Sequence, residues 1–317
     1  NTAIGETALF ANVAGSYNVG IGKDALYTQN HADADNNTAI GYQAGYANTE
    51  GTANVAVGSQ ALKANTTANS NVAIGYGAML VSTTADNNVI VGKDAGTDLT
   101  TGDGNVCVGG SAGANITTGS ANVALGRSAL FTSTTASNNT AVGDHALTLN
   151  TSGTRNTAVG YIALDANTTA DSNTALGYNS LGVNQTGAHN TALGDDSLAS
   201  NVSSNDNTAV GRSALNASTA AGNTALGKNA GSGVTSGANI VAIGKDTLQG
   251  TCTGDNNVAV GGAALNANTD GHSNAAVGHN ALMSNTGGDY NTAVGFQALL
   301  SNTTGHSSTA IGNQALD

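Results

Sequence analysis

A five-residue motif, Asn-Thr/Val-Ala-Val/Ile/Leu-Gly, returns along the whole chain at nearly constant spacing, and it limits the fold more than any other feature. Its closing glycine occurs nineteen times from Gly5 to Gly312, and sixteen of the eighteen spacings are 17 residues. The exceptions are 19 residues between Gly22 and Gly41 and 16 between Gly211 and Gly227. A unit this short has too few apolar side chains to offset the entropy of ordering it, so copies must stack on one another. The residue before each glycine is always Val, Ile or Leu, and the residue two before is Ala except at Gly20, Ile90 and Cys107. The fourth residue after the glycine is Leu in fourteen copies, Met79 in one, and Gly in four: Gly45, Gly96, Gly113 and Gly231.

The period-two alternation of Thr/Val-Ala-Val/Ile/Leu predicts a short strand, closed by a glycine that permits a tight corner. The x-x-Ala-Leu step after it reads as a second short strand or extended side, and the Asn/Thr/Ser/Gly-rich remainder as a loop. Glycines this close together leave no room for an apolar pattern of period 3.6. The expected fold is all-β: a parallel β-solenoid of nineteen 17-residue coils spanning residues 1–317 as a single continuous repeat region, with a loop insertion near 27–36. At ~4.8 Å per coil the rod would be roughly 90 Å long. Identical positions form ladders, and stacked Asn amides donate and accept along the axis. This reading buries the Leu with the Val or Ile and points the small Ala the other way. It therefore calls for association of several chains, which would bury the Ala face as well.

Composition narrows the function. With Gly 44, Pro 0, Trp 0 and only 9% charged residues, the chain lacks the makings of a compact globular core. A net charge of −12 disfavours nucleic acid and anionic membrane surfaces as partners. No apolar run approaches the ~18 residues of a membrane span. The chain starts at Asn1 and carries no cap at either end, so it is expected to be a fragment of a larger fibre.

The position just after the motif glycine holds six of the eight basic residues: Lys23, Lys93, Arg127, Arg212, Lys228 and Lys245. It also holds Tyr42, Tyr76, Tyr161, Tyr178 and Phe296. Such residues mean an outward corner. The simpler reading is a solvated, charge-mixed edge; the functional one is a contact surface for a receptor or glycan with those aromatics as anchors. No catalytic, cofactor or metal site is expected. Gly109-Gly110-Ser111-Ala112-Gly113 matches the G-x-S-x-G pattern, yet each residue sits on a repeat position and the strand-to-helix elbow is missing. His272 and His306 share a position but lie two coils apart, about 10 Å, too far for one metal. Asp35, Asp86, Asp103, Asp171, Asp255 and Asp289 also share a position, where an Asx-turn is a simpler account than calcium. Cys107 reads as a small apolar filler, and eight coils separate it from Cys252, which rules out a disulfide between them.

The strings Ser70–Gly75 (SNVAIG), Ala53–Gly58 (ANVAVG) and Asn256–Gly261 (NNVAVG) resemble the head repeat of YadA-like trimeric autotransporter adhesins. Related N-T-A-x-G-x-x-A-L repeats look like those of phage tail fibres. The resemblance covers the whole chain, although the period of 17 is longer than the usual head repeat. It implies a left-handed β-roll, a homotrimer around one axis, head-to-tail continuation, and attachment to a host receptor or glycan outside the cell, on a cell surface or virion. The expected function is thus a structural and adhesive fibre segment with itself as first partner, not an enzyme. An ice-binding solenoid and a polysaccharide-acting β-helix are the alternatives. The first would use Thr ladders; the second needs a break in periodicity that the sequence lacks.

Overall fold

In a computed structural model describing residues 1–317, every motif copy forms one three-residue strand and no segment is helical. The chain divides into two compact units, Asn1–Val159 and Gly160–Asp317. The first holds β1 (Thr2–Ile4) to β10 (Thr157–Val159), the second β11 (Thr174–Leu176) to β19 (Thr309–Ile311). Within each unit every strand lies parallel to that of the next coil, position for position. In the first, Val55, Ala56 and Val57 pair with Val72, Ala73 and Ile74. In the second, Thr191, Ala192 and Leu193 pair with Thr208, Ala209 and Val210. Each unit is therefore a parallel β-solenoid. Both irregular spacings leave the register intact: Val19 pairs with Thr38 across the longer one and Thr208 with Thr224 across the shorter. The loop absorbs the difference, with Gln29 closing the longer one through its side-chain amide on the Ala34 carbonyl.

The inside of each coil differs from expectation. The strand-centre Ala is buried, as at Ala73, Ala141 and Ala209, while the residues flanking it are half-buried or exposed. Ala and Leu make the core, and the β-branched pair faces outward. The expectation that the Ala face awaits burial by other chains is thereby corrected. The reason is width. A 17-residue coil brings its opposite walls so close that a Leu from one wall leaves room only for Ala on the other.

The x-x-Ala-Leu step is not a strand either. Its Ala and Leu are consecutive yet both buried, as Ala61 and Leu62 are, whereas a strand would send them to opposite faces. The backbone solves this with left-handed residues two and four after the glycine, such as Gln60 (φ 62°) and Leu62 (φ 50°). Each costs about 1–2 kcal/mol, and full burial of the Leu returns about 1.5–3. Inter-coil hydrogen bonding continues through this turn, from Leu62 N–H to Ala78 O at 2.9 Å and from Ala64 N–H to Leu80 O at 3.1 Å.

The four copies with Gly in place of this Leu follow the same volume rule. Gly96 faces Ile90, which replaces the strand-centre Ala, and a Cβ on Gly96 would lie 3.2 Å from it. A Cβ on Gly113 would meet Cys107 Sγ at 2.6 Å and Ile116 Cδ1 at 2.9 Å. Leu99, Ile116 and Val234, each three residues after such a glycine, are buried and fill the space the Leu would have taken. At Gly45 the Leu26 side chain of the preceding coil leans in instead, 2.9 Å from where a Cβ would stand.

Two buried Asn ladders tie the coils together. The motif Asn accepts the backbone N–H of its successor and receives its amide: Asn71 N–H reaches Asn54 Oδ1 at 3.0 Å and Asn71 Nδ2 the same atom at 3.3 Å. Asn71 Nδ2 also donates to Ala85 O at 2.8 Å. A second ladder, seven residues after the glycine, runs on the far side of the loop, with Asn65 Nδ2 donating to Asn48 Oδ1 at 2.6 Å. Outside it, Thr hydroxyls donate to the next coil, as from Thr100 to Thr117 O at 2.9 Å.

Candidate interaction surface

An outward β-branched face follows directly from an Ala-centred strand. One column of it is apolar in every coil. In the first unit it runs from Ile4 through Ile40, Ile74 and Val108 to Val159, and in the second from Leu176 through Leu226 and Val277 to Ile311. Nine members are exposed, from 37% at Val294 to 73% at the terminal Ile311, and the rest, such as Val57 and Val159, are half-buried. The parallel column, two residues earlier, changes character along the chain. It is Val in five successive coils of the first unit (Val55, Val72, Val89, Val106 and Val123) and Thr in the first four coils of the second (Thr174, Thr191, Thr208 and Thr224). Since identical positions stack at ~4.8 Å, each pair of columns forms a flat strip. Contiguous apolar surface of this kind marks an interaction site when it exceeds a few hundred Å².

No family model and no curated protein matches the chain. The surface therefore has to be read from its own chemistry.

The corner after the motif glycine is exposed, with Tyr42, Tyr76, Tyr161, Tyr178 and Phe296 each showing about half their area, between 46% and 55%. These five do not converge. Tyr161 stacks on Tyr178 with ring centroids 5.8 Å apart, and Phe296 stacks on His279 at 5.8 Å. Tyr42 and Tyr76 are separated by the coil of Ser59. A tighter aromatic column lies elsewhere: Phe10, Tyr27 and Tyr46 stack with successive centroids 5.2 Å apart. It was readable in the sequence as three aromatics each five residues after a motif glycine in successive coils.

Charges at this corner are mostly neutralised by neighbours. Lys23 pairs with Glu6 of the preceding coil at 3.0 Å, and Arg127 with Asp144 of the following one at 3.0 Å. The Arg127 guanidinium holds the Asp144 carboxyl below the usual range. Asp246 is lowered as well, first by a hydrogen bond from Asn229 and then by Lys245, 3.4 Å away.

The Asp ladder of the loop does something other than close Asx-turns. Five of its carboxylates reach the backbone of the preceding coil: Asp35 Oδ1 accepts from Ser16 N–H at 2.5 Å, Asp86 from Asn69 at 2.6 Å, Asp103 from Asp86 at 2.7 Å. Asp255 and Asp289 do the same for Ala238 and His272, both at 2.8 Å. His272 and His306 substitute for Asp at this position, accepting through Nδ1 from Asp255 and Asp289 at 2.9 Å. The position thus requires an acceptor. No three His, Cys, Asp or Glu side chains gather in a metal-holding group. Cys107 and Cys252 are free and buried, and burial pushes the Cys107 thiol up to about 12. No helix is long and apolar enough to cross a membrane.

Proposed function

We propose that the chain is a non-catalytic segment of an extracellular fibre, on a cell surface or virion, that associates with copies of itself through its outward β-branched face. The observation carrying this reading is the column of strand-end Val, Ile and Leu, apolar in every coil and nowhere fully buried. A solenoid serving as an isolated spacer gains nothing from such a strip, and water contact with it costs roughly 25 cal/mol per Å² of apolar area left uncovered. Burial against other copies removes that cost. It also answers the aggregation hazard of a long flat apolar strip, because a closed ring of chains leaves none of it free. The likeness of SNVAIG and NNVAVG to YadA-like head repeats supports three chains around one axis, attachment as the role, and a receptor or glycan as the external partner.

Light scattering on the purified chain tests this. The expected particle has three times the mass of one chain and appears in negative stain as a threefold rod. A monodisperse monomer at micromolar concentration contradicts it. The Thr column from Thr174 to Thr224 gives the ice-binding reading one supporting observation. Its neighbours Leu176 and Leu226 argue against it, since a bulkier side chain stands beside each Thr where a Thr-x-Thr array would have another hydroxyl. A thermal-hysteresis measurement separates the two readings.

A further inference from the structure

The cations at the corner after the motif glycine differ in their pairing: Lys23 and Arg127 pair with a carboxylate of an adjacent coil, Lys93 and Lys245 with one of their own coil, and Arg212 and Lys228 with none. In the first unit, Lys23 and Arg127 each have a carboxylate from an adjacent coil at 3.0 Å, and Lys93 has Asp94 at 3.6 Å. In the second unit, Arg212, Lys228 and Lys245 occupy the same corner of three successive coils, and all three are exposed. The strand register places them directly above one another, since Val210 pairs with Leu226 and Leu226 with Ile243. Only Lys245 has an ion pair, with Asp246 of its own coil at 3.4 Å. Asp195 and Asp196 lie one coil before Arg212, and Asp196 is engaged by Asn179 Nδ2 at 2.8 Å. Beyond Lys245 the corner carries Gly262, His279, Phe296 and Asn313, with no carboxylate there or at the next residue of each coil. Three like charges stacked at strand spacing repel one another, and a chain of net charge −12 offers ample acid with which to break such a run.

We infer that Arg212, Lys228 and Lys245 form a binding ladder for an anionic polysaccharide lying along the coil stack. Spacing selects the partner class. The cations repeat at ~4.8 Å along one line. Acidic side chains on one face of an extended peptide repeat at about 6.7 Å, and phosphates along one strand of duplex DNA at about 3.4 Å. In a flexible glycan with acidic groups on every sugar, one pyranose ring with its linkage is about as long as one coil is high, so rotation about the linkages can bring one acidic group to each cation. An anionic membrane is the poorer fit, because it would need cations spread over a plane and would bring the remaining acidic surface against its headgroups. The next coils supply what a sugar also needs: the His279–Phe296 stack offers an apolar surface in continuation, with the His279 ring lying over Gly262. This site lies apart from the strand face and does not depend on how many chains associate.

The test is binding of polygalacturonate and dextran sulfate to the full chain at low salt, by biolayer interferometry. The triple variant Arg212→Gln, Lys228→Gln, Lys245→Gln is compared with the charge-matched triple Lys23→Gln, Lys63→Gln, Lys93→Gln. The ladder predicts binding to at least one polymer, weakened by about tenfold or more in the first variant because three charge-assisted contacts go. The second variant should bind like the native chain. Five of the six residues are exposed and Lys63 is half-buried, and circular dichroism confirms that both variants remain folded. Absence of binding to either polymer overturns the inference. So does equal loss in the two variants, or equally tight binding of polyglutamate or a single-stranded oligonucleotide.

Discussion

The stretch from β4 (Val55–Val57) to β8 (Val123–Leu125) and the stretch from β11 to β14 (Thr224–Leu226) share one interior plan and differ in their exteriors. Inside, both keep the buried motif Asn and a strand-centre wall that is Ala throughout the second and interrupted by Ile90 and Cys107 in the first; the position seven after the glycine holds Asn65, Ser82, Leu99, Ile116 and Ser133 in the first and Asn184, Asn201, Ser218 and Val234 in the second. Opposite the strand-centre wall the first carries Leu62, Met79 and Leu130, with Leu99 and Ile116 filling in behind Gly96 and Gly113; the second carries Leu181, Leu198 and Leu215, with Val234 behind Gly231. Outside, the first presents Val beside Val, Ile or Leu, and the second Thr beside Leu or Val. Charge differs as well: Lys23 and Arg127 of the first unit pair across coils, whereas Arg212, Lys228 and Lys245 of the second stack on one another and only Lys245 has a carboxylate beside it. Interior positions thus vary in compensating sets, as Ile90 with Gly96 and Cys107 with Gly113. The outward positions are free to vary, and that is where different coils can carry different partners.

If the interiors are equivalent, removing a core side chain should cost the same in both regions. Leu130→Ala and Leu198→Ala are each expected to lose about 2–5 kcal/mol in denaturant unfolding, with similar values for the pair. A much smaller loss in one region would mean that its wall packs differently. Next in size come the Asn ladders. Asn122→Ala and Asn190→Ala each strand the backbone N–H of the following coil, that of Asn139 and of Asn207. Each should cost about 1–3 kcal/mol.

A double-mutant cycle at Gly231 and Val234 sharpens the volume rule. Gly231→Leu alone overpacks against Leu215 Cδ2, which a Cβ would approach to 3.0 Å, and should cost about 1–3 kcal/mol. Val234→Asn alone opens a hole and should cost a similar amount. Together they recreate the ordinary coil, so the double variant should regain about 1 kcal/mol or more relative to the sum. Strict additivity would remove the compensation argument.

The smallest effect concerns Cys107, whose thiol is raised from 9.0 to about 12 by burial alone. A raised thiol favours the neutral native form. Its contribution is fully present below pH 9 and drains away as pH climbs from there to about 12. Cys107 should accordingly resist a thiol reagent at neutral pH until the chain unfolds; rapid labelling of the native chain would place it on the surface.

The periodicity made the coil count, the register and the tolerance of the loop at Gln29–Ala34 legible, because one residue type repeated at fixed offset can only mean stacking. Orientation was harder. In Val72-Ala73-Ile74, hydropathy points the Val and Ile inward, whereas the width of the coil admits only Ala73. Width is a tertiary quantity that no single repeat reports. The pairs Gly96/Leu99, Gly113/Ile116 and Gly231/Val234 did carry the information, since a lost Leu answered by an apolar residue three positions later means a shared space. The turn at Ala61-Leu62 was missed for a similar reason: two consecutive buried residues require left-handed backbone, which Leu rarely adopts. Of the five corner aromatics, exposure was legible but contact was not, because stacking needs neighbours in adjacent coils and only Tyr161 and Tyr178 are such a pair.

The central claim is that the β-branched face is outside each coil and is what the copies share. The most direct measurement is the mass and thermal unfolding of the variant Val72→Lys, Val89→Lys, Val106→Lys beside the native chain. The account predicts a native oligomer and a variant that is monomeric yet keeps its β circular-dichroism spectrum and cooperative unfolding, because the three lysines project into water. An unfolded variant would place those valines in the core, and a variant that still assembles like the native chain would show that copies meet elsewhere.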